Sequence, residues 1–240
     1  MRKILTLALV LGLTTACNAQ WGKRIKGNGQ VIVQERSLGE YSGVSLSGWF
    51  DVELVSGKEG EITLKGESNL LDHIVTEIEN GNLVIKTEKG YNLNSSTRAG
   101  IHITVPVESI SEVNLSGSGD INSRVTLSSD DFDVRVSGSG DVKLPLQADR
   151  VSAALSGSGD IGLSGNCLEL KVSVSGSGDV KAFDLTAESV KVSVAGSADV
   201  EVTATQFLEA RVSGSGDVEY RGDPKKVDAK SIGSGDISRG

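Results

Sequence analysis

One pentapeptide, Ser-Gly-Ser-Gly-Asp, constrains this chain more than any other feature of its 240 residues. It occurs, unchanged or as a close variant, seven times after residue 115, and its aspartates are 18 to 21 residues apart. These aspartates are Asp120, Asp141, Asp160, Asp179, Asp199, Asp217 and Asp236. A repeat of this length predicts structural units that stack on one another. A degenerate earlier copy is Ser47–Asp51, where Trp49 and Phe50 replace a serine and a glycine.

Apolar and polar residues alternate around each aspartate. Val134 and Val136 precede Asp141 with Arg135 between them, Val142 follows it, and equivalent columns recur in the other copies. A period of two predicts half-buried strands. We therefore predict an all-β fold, a β-solenoid similar to a parallel β-helix, with turns of about 19–20 residues and strands of about seven to nine residues. A meander of antiparallel hairpins stays open as the alternative.

The same alternation continues through the pentapeptide. It predicts that both glycines face inward, while both serines and the aspartate face outward. Glycine would be needed at such a bend because a Cβ lacks room or because the backbone is left-handed, and the sequence leaves both reasons open. The alternative interpretation is that the pentapeptide is only a turn.

The segment 55–107 departs from the repeat and predicts a β-rich hairpin region that caps the solenoid. Glu61–Lys65 alternates like a strand, and Asn80–Asn82 is typical of a hairpin turn. Asn69–Ile74 predicts one helical turn, and the polar stretch Gly90–Gly100 predicts a mobile loop.

The first residues predict an export signal. Arg2 and Lys3 precede the apolar run Ile4–Leu13, which is too short to span a bilayer. Cleavage before Cys17, which would then carry lipid, and cleavage after Ala19 both stay open. Either route predicts an outer-membrane lipoprotein or a protein of the periplasm or cell surface, attached to a membrane only through that lipid.

We divide the chain into a signal peptide (1–19), a linker (20–29) and a single domain (30–240). Within this domain, residues 30–110 form the irregular β-rich part and residues 111–240 form the repeat solenoid. The formal net charge of −8, without a basic cluster, argues against a nucleic-acid partner.

The order of these features is similar to that of a known family. Gly43–Gly48 and Asp51–Leu54 come first, Gly81–Ile85 and Ile101–Val107 follow, and the Gly-Ser-Gly-Asp copies complete the chain. Over residues 30–240 the chain resembles the bacterial family described as putative auto-transporter adhesin, head GIN domain. The resemblance implies an exported, non-enzymatic surface or periplasmic protein that acts in adhesion.

Stacked copies would align the outward residues of the pentapeptide into columns that suit a glycan or a protein ligand. The candidate binding residues are Ser139, Asp141, Ser158, Asp160, Ser177, Asp179, Ser215 and Asp217. Carboxylates ~5 Å apart repel by about 0.8 kcal/mol even in water. The column therefore needs backbone N–H donors, screening, or cations such as Ca²⁺. Trp49 and Phe50 are either core anchors or a stacking surface for sugar rings.

We predict no catalytic residue, no cofactor and no metal site. Solenoids also host polysaccharide-active enzymes, but His73, His102 and Cys167 lie far apart in the sequence, and Arg135 and Arg211 match no catalytic cluster. Cys167 precedes an alternating strand pattern and is interpreted as a small apolar core residue. A polysaccharide-active enzyme and a purely structural envelope protein stay as the alternatives to a binding protein.

Overall fold

The structure, a computed structural model, describes residues 22–240. These residues form the strands β1 (Lys23–Lys26), β2 (Val31–Ser37), β3 (Gly43–Gly48), β4 (Asp51–Ser56) and β5 (Glu61–Glu67), the helical turn α1 (Ser68–Leu71), and the strands β6 (Ile74–Glu79), β7 (Asn82–Thr87), β8 (Tyr91–Asn94), β9 (His102–Val107), β10 (Glu112–Gly117), β11 (Ile121–Ser123), β12 (Leu127–Gly138), β13 (Val142–Gly157), β14 (Ile161–Gly176), β15 (Val180–Gly196), β16 (Val200–Gly214), β17 (Val218–Arg221), β18 (Lys226–Gly233) and β19 (Ile237–Arg239). The predicted signal peptide and Cys17 lie outside the described residues.

The repeat region is a parallel β-solenoid. On one face the strands follow the order β7, β3, β10, β12, β13, β14, β15, β16, β18, and every neighbouring pair is parallel. Equivalent glycines are register partners, as Gly117, Gly138 and Gly157 show. The predicted fold is therefore confirmed, and the repeats do not form the alternative meander of hairpins.

The strands are longer than predicted. β12 to β16 have 12 to 17 residues instead of about seven to nine. β13 pairs with β14 from Val142 to Ala148 and again from Arg150 to Gly157, so only Asp149 is left out and β13 continues as one strand. From β13 to β16 only the pentapeptide separates one strand from the next, whereas the first and last turns are also interrupted between β11 and β12 and between β17 and β18.

The inward columns form an aliphatic core. Val134, Ala153 and Val172 are register partners in successive turns, and all three are buried. Burying one valine or leucine side chain contributes about 1.5–3 kcal/mol. β-branched residues fit a pleated wall, so one residue type serves in turn after turn and few aromatic side chains are needed.

Antiparallel pairing ends the solenoid at its N-terminal side. β9 extends one face parallel to β4, and β5 and β2 then add to it in antiparallel order. On the other face β7 pairs with β3 and is closed by the hairpin partner β6. Asn80 (φ 52°) and Gly81 (φ 84°) give the hairpin a left-handed two-residue turn. The predicted β-rich cap is present, whereas the domain boundaries stay a prediction.

The prediction of a mobile loop at Gly90–Gly100 was wrong for its first part. Residues 91–94 form β8, and Leu93 is buried. β8 pairs in parallel with β1, which lies inside the predicted linker 20–29. The two segments are far apart in the sequence, so neither one carries a local signal for the pairing.

The helical turn lies slightly earlier than predicted. It spans Ser68–Leu71, whereas Ile74, the last residue of the predicted turn, begins β6. Leu70 and Leu71 are fully buried and fix the turn against the end of the core.

A buried carboxylate fastens the N-terminal segment to the cap. Glu67 is 0% exposed, and its oxygens accept hydrogen bonds from the N–H groups of Gly29 (2.6 Å) and Ser96 (2.8 Å) and from the hydroxyls of Ser95 (2.7 Å) and Ser96. Burial alone would raise the pKa of the Glu67 carboxyl, but these hydrogen bonds outweigh burial and lower the pKa to about 2. A Cβ on Gly27 would lie 2.2 Å from both carboxylate oxygens, so glycine leaves the room for this contact.

We predict that Glu67→Gln lowers the free energy of unfolding at pH 7 by about 2–3 kcal/mol, because an amide NH₂ would face donors in a buried site. Since the folded pKa is depressed, the stabilisation is present above the unfolded pKa of about 4.3 and disappears as the pH falls towards 2. Urea unfolding at pH 7 and pH 3 measures both effects. Glu61→Gln, on the exposed start of the same strand, is the control and is expected to change stability by less than about 0.5 kcal/mol. A pH-independent difference between wild type and Glu67→Gln would contradict this account.

Candidate functional site at the Ser-Asp corner

The seven pentapeptides stack into one edge of the solenoid, which we call the Ser-Asp corner. The carbonyl of the first glycine in one turn accepts N–H bonds from the middle serine and the second glycine of the next turn. Gly117 thus accepts from Ser139 (2.8 Å) and Gly140 (3.2 Å). The pentapeptide is therefore part of the hydrogen-bonded stack, and the interpretation that it is only a turn is wrong.

The first glycine of the pentapeptide is needed for its backbone conformation and for space, and the second for space alone. The first has φ between 128° and 143° in all seven copies, a left-handed conformation that favours glycine. The second does not have this conformation. A Cβ on Gly140 would lie 1.9 Å from the carbonyl oxygen of Gly119 in the preceding turn, and a Cβ on Gly138 would lie 2.2 Å from that of Gly117. The missing atoms would point along the stack, so the close approach of successive turns strongly disfavours a side chain at either position.

Ala198 shows what a side chain costs at the second position. Elsewhere the second glycine donates its N–H to the preceding turn, as Gly178 does to Gly157 at 3.2 Å. Within residues 22–240 Ala198 makes no equivalent bond, and only Ser197 donates to Gly176, at 2.9 Å. The turn accommodates one methyl group by giving up one backbone hydrogen bond.

We predict that Gly159→Ala lowers the free energy of unfolding by roughly 2–4 kcal/mol, because its Cβ would lie 2.0 Å from the Gly140 carbonyl oxygen and would displace a backbone hydrogen bond. Ser158→Ala, on the neighbouring exposed position, is expected to change stability by less than about 0.5 kcal/mol. Ala198→Gly is expected to be neutral or stabilising. Urea unfolding measures all three, and equal stability of Gly159→Ala and wild type would refute the close-approach argument.

The aspartates form a hydrogen-bonded ladder. In six successive links the N–H of one aspartate donates to Oδ1 of the aspartate in the preceding turn, at 2.7 to 3.0 Å. Of the three ways of compensating this column that the sequence left open, the structure shows backbone N–H donors. Each N–H dipole faces a carboxylate, which offsets the repulsion along the column.

The second carboxylate oxygen of Asp160 also has a partner. It accepts a hydrogen bond from Lys181 Nζ at 2.6 Å. Burial raises the pKa of Asp160, but Lys181 and the N–H of Asp179 outweigh burial, so the pKa lies below its ordinary value. This carboxylate is held ionised at neutral pH.

The candidate binding residues lie in two adjacent columns. The serine column comprises Ser139, Ser158, Ser177 and Ser215, which are all exposed. The aspartate column comprises Asp141, Asp160, Asp179 and Asp217, of which the first three are half-buried and the last is exposed. Strand register aligns the turns, so hydroxyls and carboxylates repeat at the strand spacing of ~4.8 Å along one edge.

Trp49 begins the serine column at the cap end. The register of β3 with β10 places Gly48 beside Gly117, so Trp49 and Phe50 take the places of the next serine and glycine. Phe50 is a fully buried core anchor, whereas Trp49 is half-buried and packs on it with ring centroids 5.3 Å apart. An indole face next to a hydroxyl column is a common element of sugar sites.

The remaining polar candidates are not assembled into one site. His73 bonds to Glu88 at 2.7 Å, while the His102 ring lies 3.4 Å from a carboxylate oxygen of Asp51. Burial raises the pKa of the Cys167 thiol to about 11, which makes it a poor nucleophile. In the part of the chain that the structure describes, no group of three or more His, Cys, Asp or Glu side chains is arranged to bind a metal ion.

Arg135 and Arg211 both form ion pairs with nearby carboxylates. Arg135 donates to Glu112 and Asp133 at 2.6 and 2.7 Å, and Arg211 donates to Asp228 at 2.9 Å.

Sequence reasoning missed the anchor Glu67, because its partners lie 28 to 38 positions away and no local pattern marks them.

The geometry defines the protein as a parallel β-solenoid with a polar ladder along one edge. The chain belongs to the family described as putative auto-transporter adhesin, head GIN domain, whose model matches residues 40–224. The family's description indicates a surface or extracellular protein. A comparison with curated proteins finds no match.

Three solved structures have the same fold. A putative adhesin from Bacteroides fragilis shares 22% identity at a TM-score of 0.83, covering 90% of this chain and 99% of that chain. A putative lipid binding protein from Parabacteroides distasonis shares 28% identity at a TM-score of 0.75, with 91% and 100% covered. A putative adhesin from Parabacteroides merdae shares 20% identity at a TM-score of 0.70, with 91% and 99% covered.

None of the helical structure in residues 22–240 has the length and apolar character needed to cross a bilayer.

Proposed function

We propose that the protein is an exported, non-enzymatic binding protein of the cell envelope, and that the Ser-Asp corner contacts a glycan or a protein on a surface. The single observation that supports this function best is the regular, exposed column of serine hydroxyls beside the hydrogen-bonded aspartate ladder. The ladder fixes the backbone that carries them, so a ligand would meet donors and acceptors that are already in place. Preorganisation of this kind lowers the entropic cost of binding.

A purely structural envelope role is the second candidate. One oxygen of each aspartate from Asp120 to Asp217 already accepts a backbone N–H, and this bond alone gives the aspartate a reason to recur. The serines have no such reason, because their side chains are exposed and only their backbone atoms take part in the stack. The serine column therefore separates the two candidates.

We predict that replacing Ser139, Ser158 and Ser177 together by alanine reduces attachment of the purified protein to a glycan array and to bacterial or host cells at least ~tenfold, because three adjacent hydroxyls are lost. The control replaces Ser37, Ser109 and Ser128, three exposed serines outside the corner, and is expected to attach like the wild type. Thermal unfolding verifies that both variants remain folded. Unchanged attachment of the corner variant would favour the structural role.

The proposed location rests on the predicted signal peptide 1–19. We propose processing at Cys17 with lipidation, or cleavage after Ala19, as the two export routes. The resemblance to surface adhesins supports both, because each ends outside the cytoplasm.

We predict that the protein isolated from its native host lacks at least its first 16 residues. Intact-mass spectrometry would show a lipid-modified chain that begins at Cys17, or an unmodified chain that begins at Gln20. Cys17→Ser is expected to release a lipidated protein from the membrane fraction and to leave an unlipidated one unchanged. A mature protein that retains Met1–Leu13 would refute the export proposal.

A further inference from the structure

A separate concave surface lies on the outer face of β12, β13, β14 and β15, at a distance of several columns from the aspartates. It encloses about 700 Å³, a volume in the range of small-ligand sites. We call it the lysine groove. Its charged lining consists of Glu112, Asp131, Asp133, Glu169, Arg135, Arg150, Lys171 and Lys191.

Three of the four acidic side chains of the lysine groove form ion pairs with its two arginines, and the fourth, Glu169, is the register partner of Arg150. Arg150 forms a two-point ion pair with Asp131, and strand register places Arg150 between Asp131 and Glu169. Asp131 first, and then Asp149 and Glu169 to a lesser extent, raise the pKa of the Arg150 guanidinium. Arg135 bridges Glu112 and Asp133 in the same way.

The two lysines have no such partner. Lys171 and Lys191 are exposed register partners in adjacent turns, and within residues 22–240 neither lies within 4.0 Å of a carboxylate oxygen. Like charges directly opposite each other across neighbouring strands destabilise a sheet. Glu209, the next residue in this column, is paired with Arg211 at 3.4 Å. In a chain of net charge −8, this leaves two adjacent cations that an anion would stabilise.

The positions beside the lysines are short and polar. Ser152 precedes Lys171 in its column, and Ser189 lies two residues before Lys191 on the same face. Arg135 and Arg150 lie near Ser152, and Glu169 is the register partner of Ser189. Both serines are half-buried and form part of the floor, between charged side chains of both signs. A floor of hydroxyls suits a ligand that is itself rich in hydroxyl groups.

We propose that the lysine groove binds an acidic oligosaccharide, with Lys171 and Lys191 contacting its carboxylate or sulfate groups and Ser152 and Ser189 contacting its hydroxyls. The serine hydroxyls favour a saccharide, whose rings carry free hydroxyl groups, over a DNA strand, whose sugar oxygens are esterified along the chain. The site does not depend on the Ser-Asp corner, so either can fail without the other.

The test is calorimetric titration of the protein with an octamer of galacturonic acid, which carries carboxylates, and with a heparin octasaccharide, which carries sulfates. Wild type is expected to bind at least one of them, more weakly as salt is raised. The double variant Lys171→Ser/Lys191→Ser is expected to weaken binding at least ~tenfold. Serine is chosen because Ser152 already occupies the same column in the preceding turn. Lys171→Arg/Lys191→Arg is expected to retain binding.

The matched control is Lys58→Ser/Lys89→Ser, which removes the same charge from two exposed sites outside the groove and is expected to bind like the wild type. Equal losses in the two serine variants would overturn the proposal, because bulk charge would then explain them. Absence of binding to both saccharides, or equal binding of a single-stranded DNA octamer, would also overturn it. Unequal affinity for the two saccharides supports it and identifies carboxylate or sulfate as the preferred group.

Discussion

The close approach of backbone to backbone at the pentapeptide is the constraint on which the structure depends. A carbonyl oxygen of one turn occupies the place where a Cβ of the next turn would be, at 1.9 to 2.2 Å for Gly138 and Gly140. Because that oxygen leaves no room for a Cβ, the turns stack at the corner through glycine in every copy, except where Ala198 gives up a backbone hydrogen bond. The recurrence of glycine therefore sets the register, and the register decides which side chains become neighbours in every column.

That register creates an electrostatic problem and also solves it. Identical aspartates in neighbouring turns lie close enough to repel, and a neutral residue would avoid this cost. Their carboxylates, however, receive N–H groups at about the hydrogen-bond optimum, such as the 2.9 Å contact from Asp160 to Asp141. The pentapeptide combines two functions: glycine permits the close stack, and aspartate supplies an acceptor for a backbone donor at the corner. Both depend on each turn lying directly above the last.

Local patterns in the sequence determine how much of this could be predicted. The alternation of residues such as Val134, Arg135 and Val136, and the spacing of the aspartates, were sufficient for the solenoid, its inward columns and its outward serines. The pairing of β1 with β8 and the anchor at Glu67 join segments far apart in the chain, so no local sequence pattern predicts them.

Strand length was underestimated because a bend in a parallel ladder leaves the hydrogen bonds of β13 largely intact, and only glycine marks an interruption. The lysine groove was missed because Lys171 and Lys191 are 20 positions apart and become neighbours only through the register.

A division of labour between columns follows from this construction. The inward columns and the corner are fixed by packing and by the carbonyl contacts, so a substitution there changes the stack itself. The outward columns of β12 to β15 meet solvent and neighbouring outward side chains; one column alone contains Asp133, Ser152, Lys171 and Lys191 in successive turns. The charge and size of these outward side chains can change without a change in the backbone, because hydrogen bonds to the neighbouring strands already fix each strand. In such a solenoid, substitutions on these outward faces can therefore most readily create a ligand-binding site, while the glycines and aspartates of the corner keep the distance between successive turns constant.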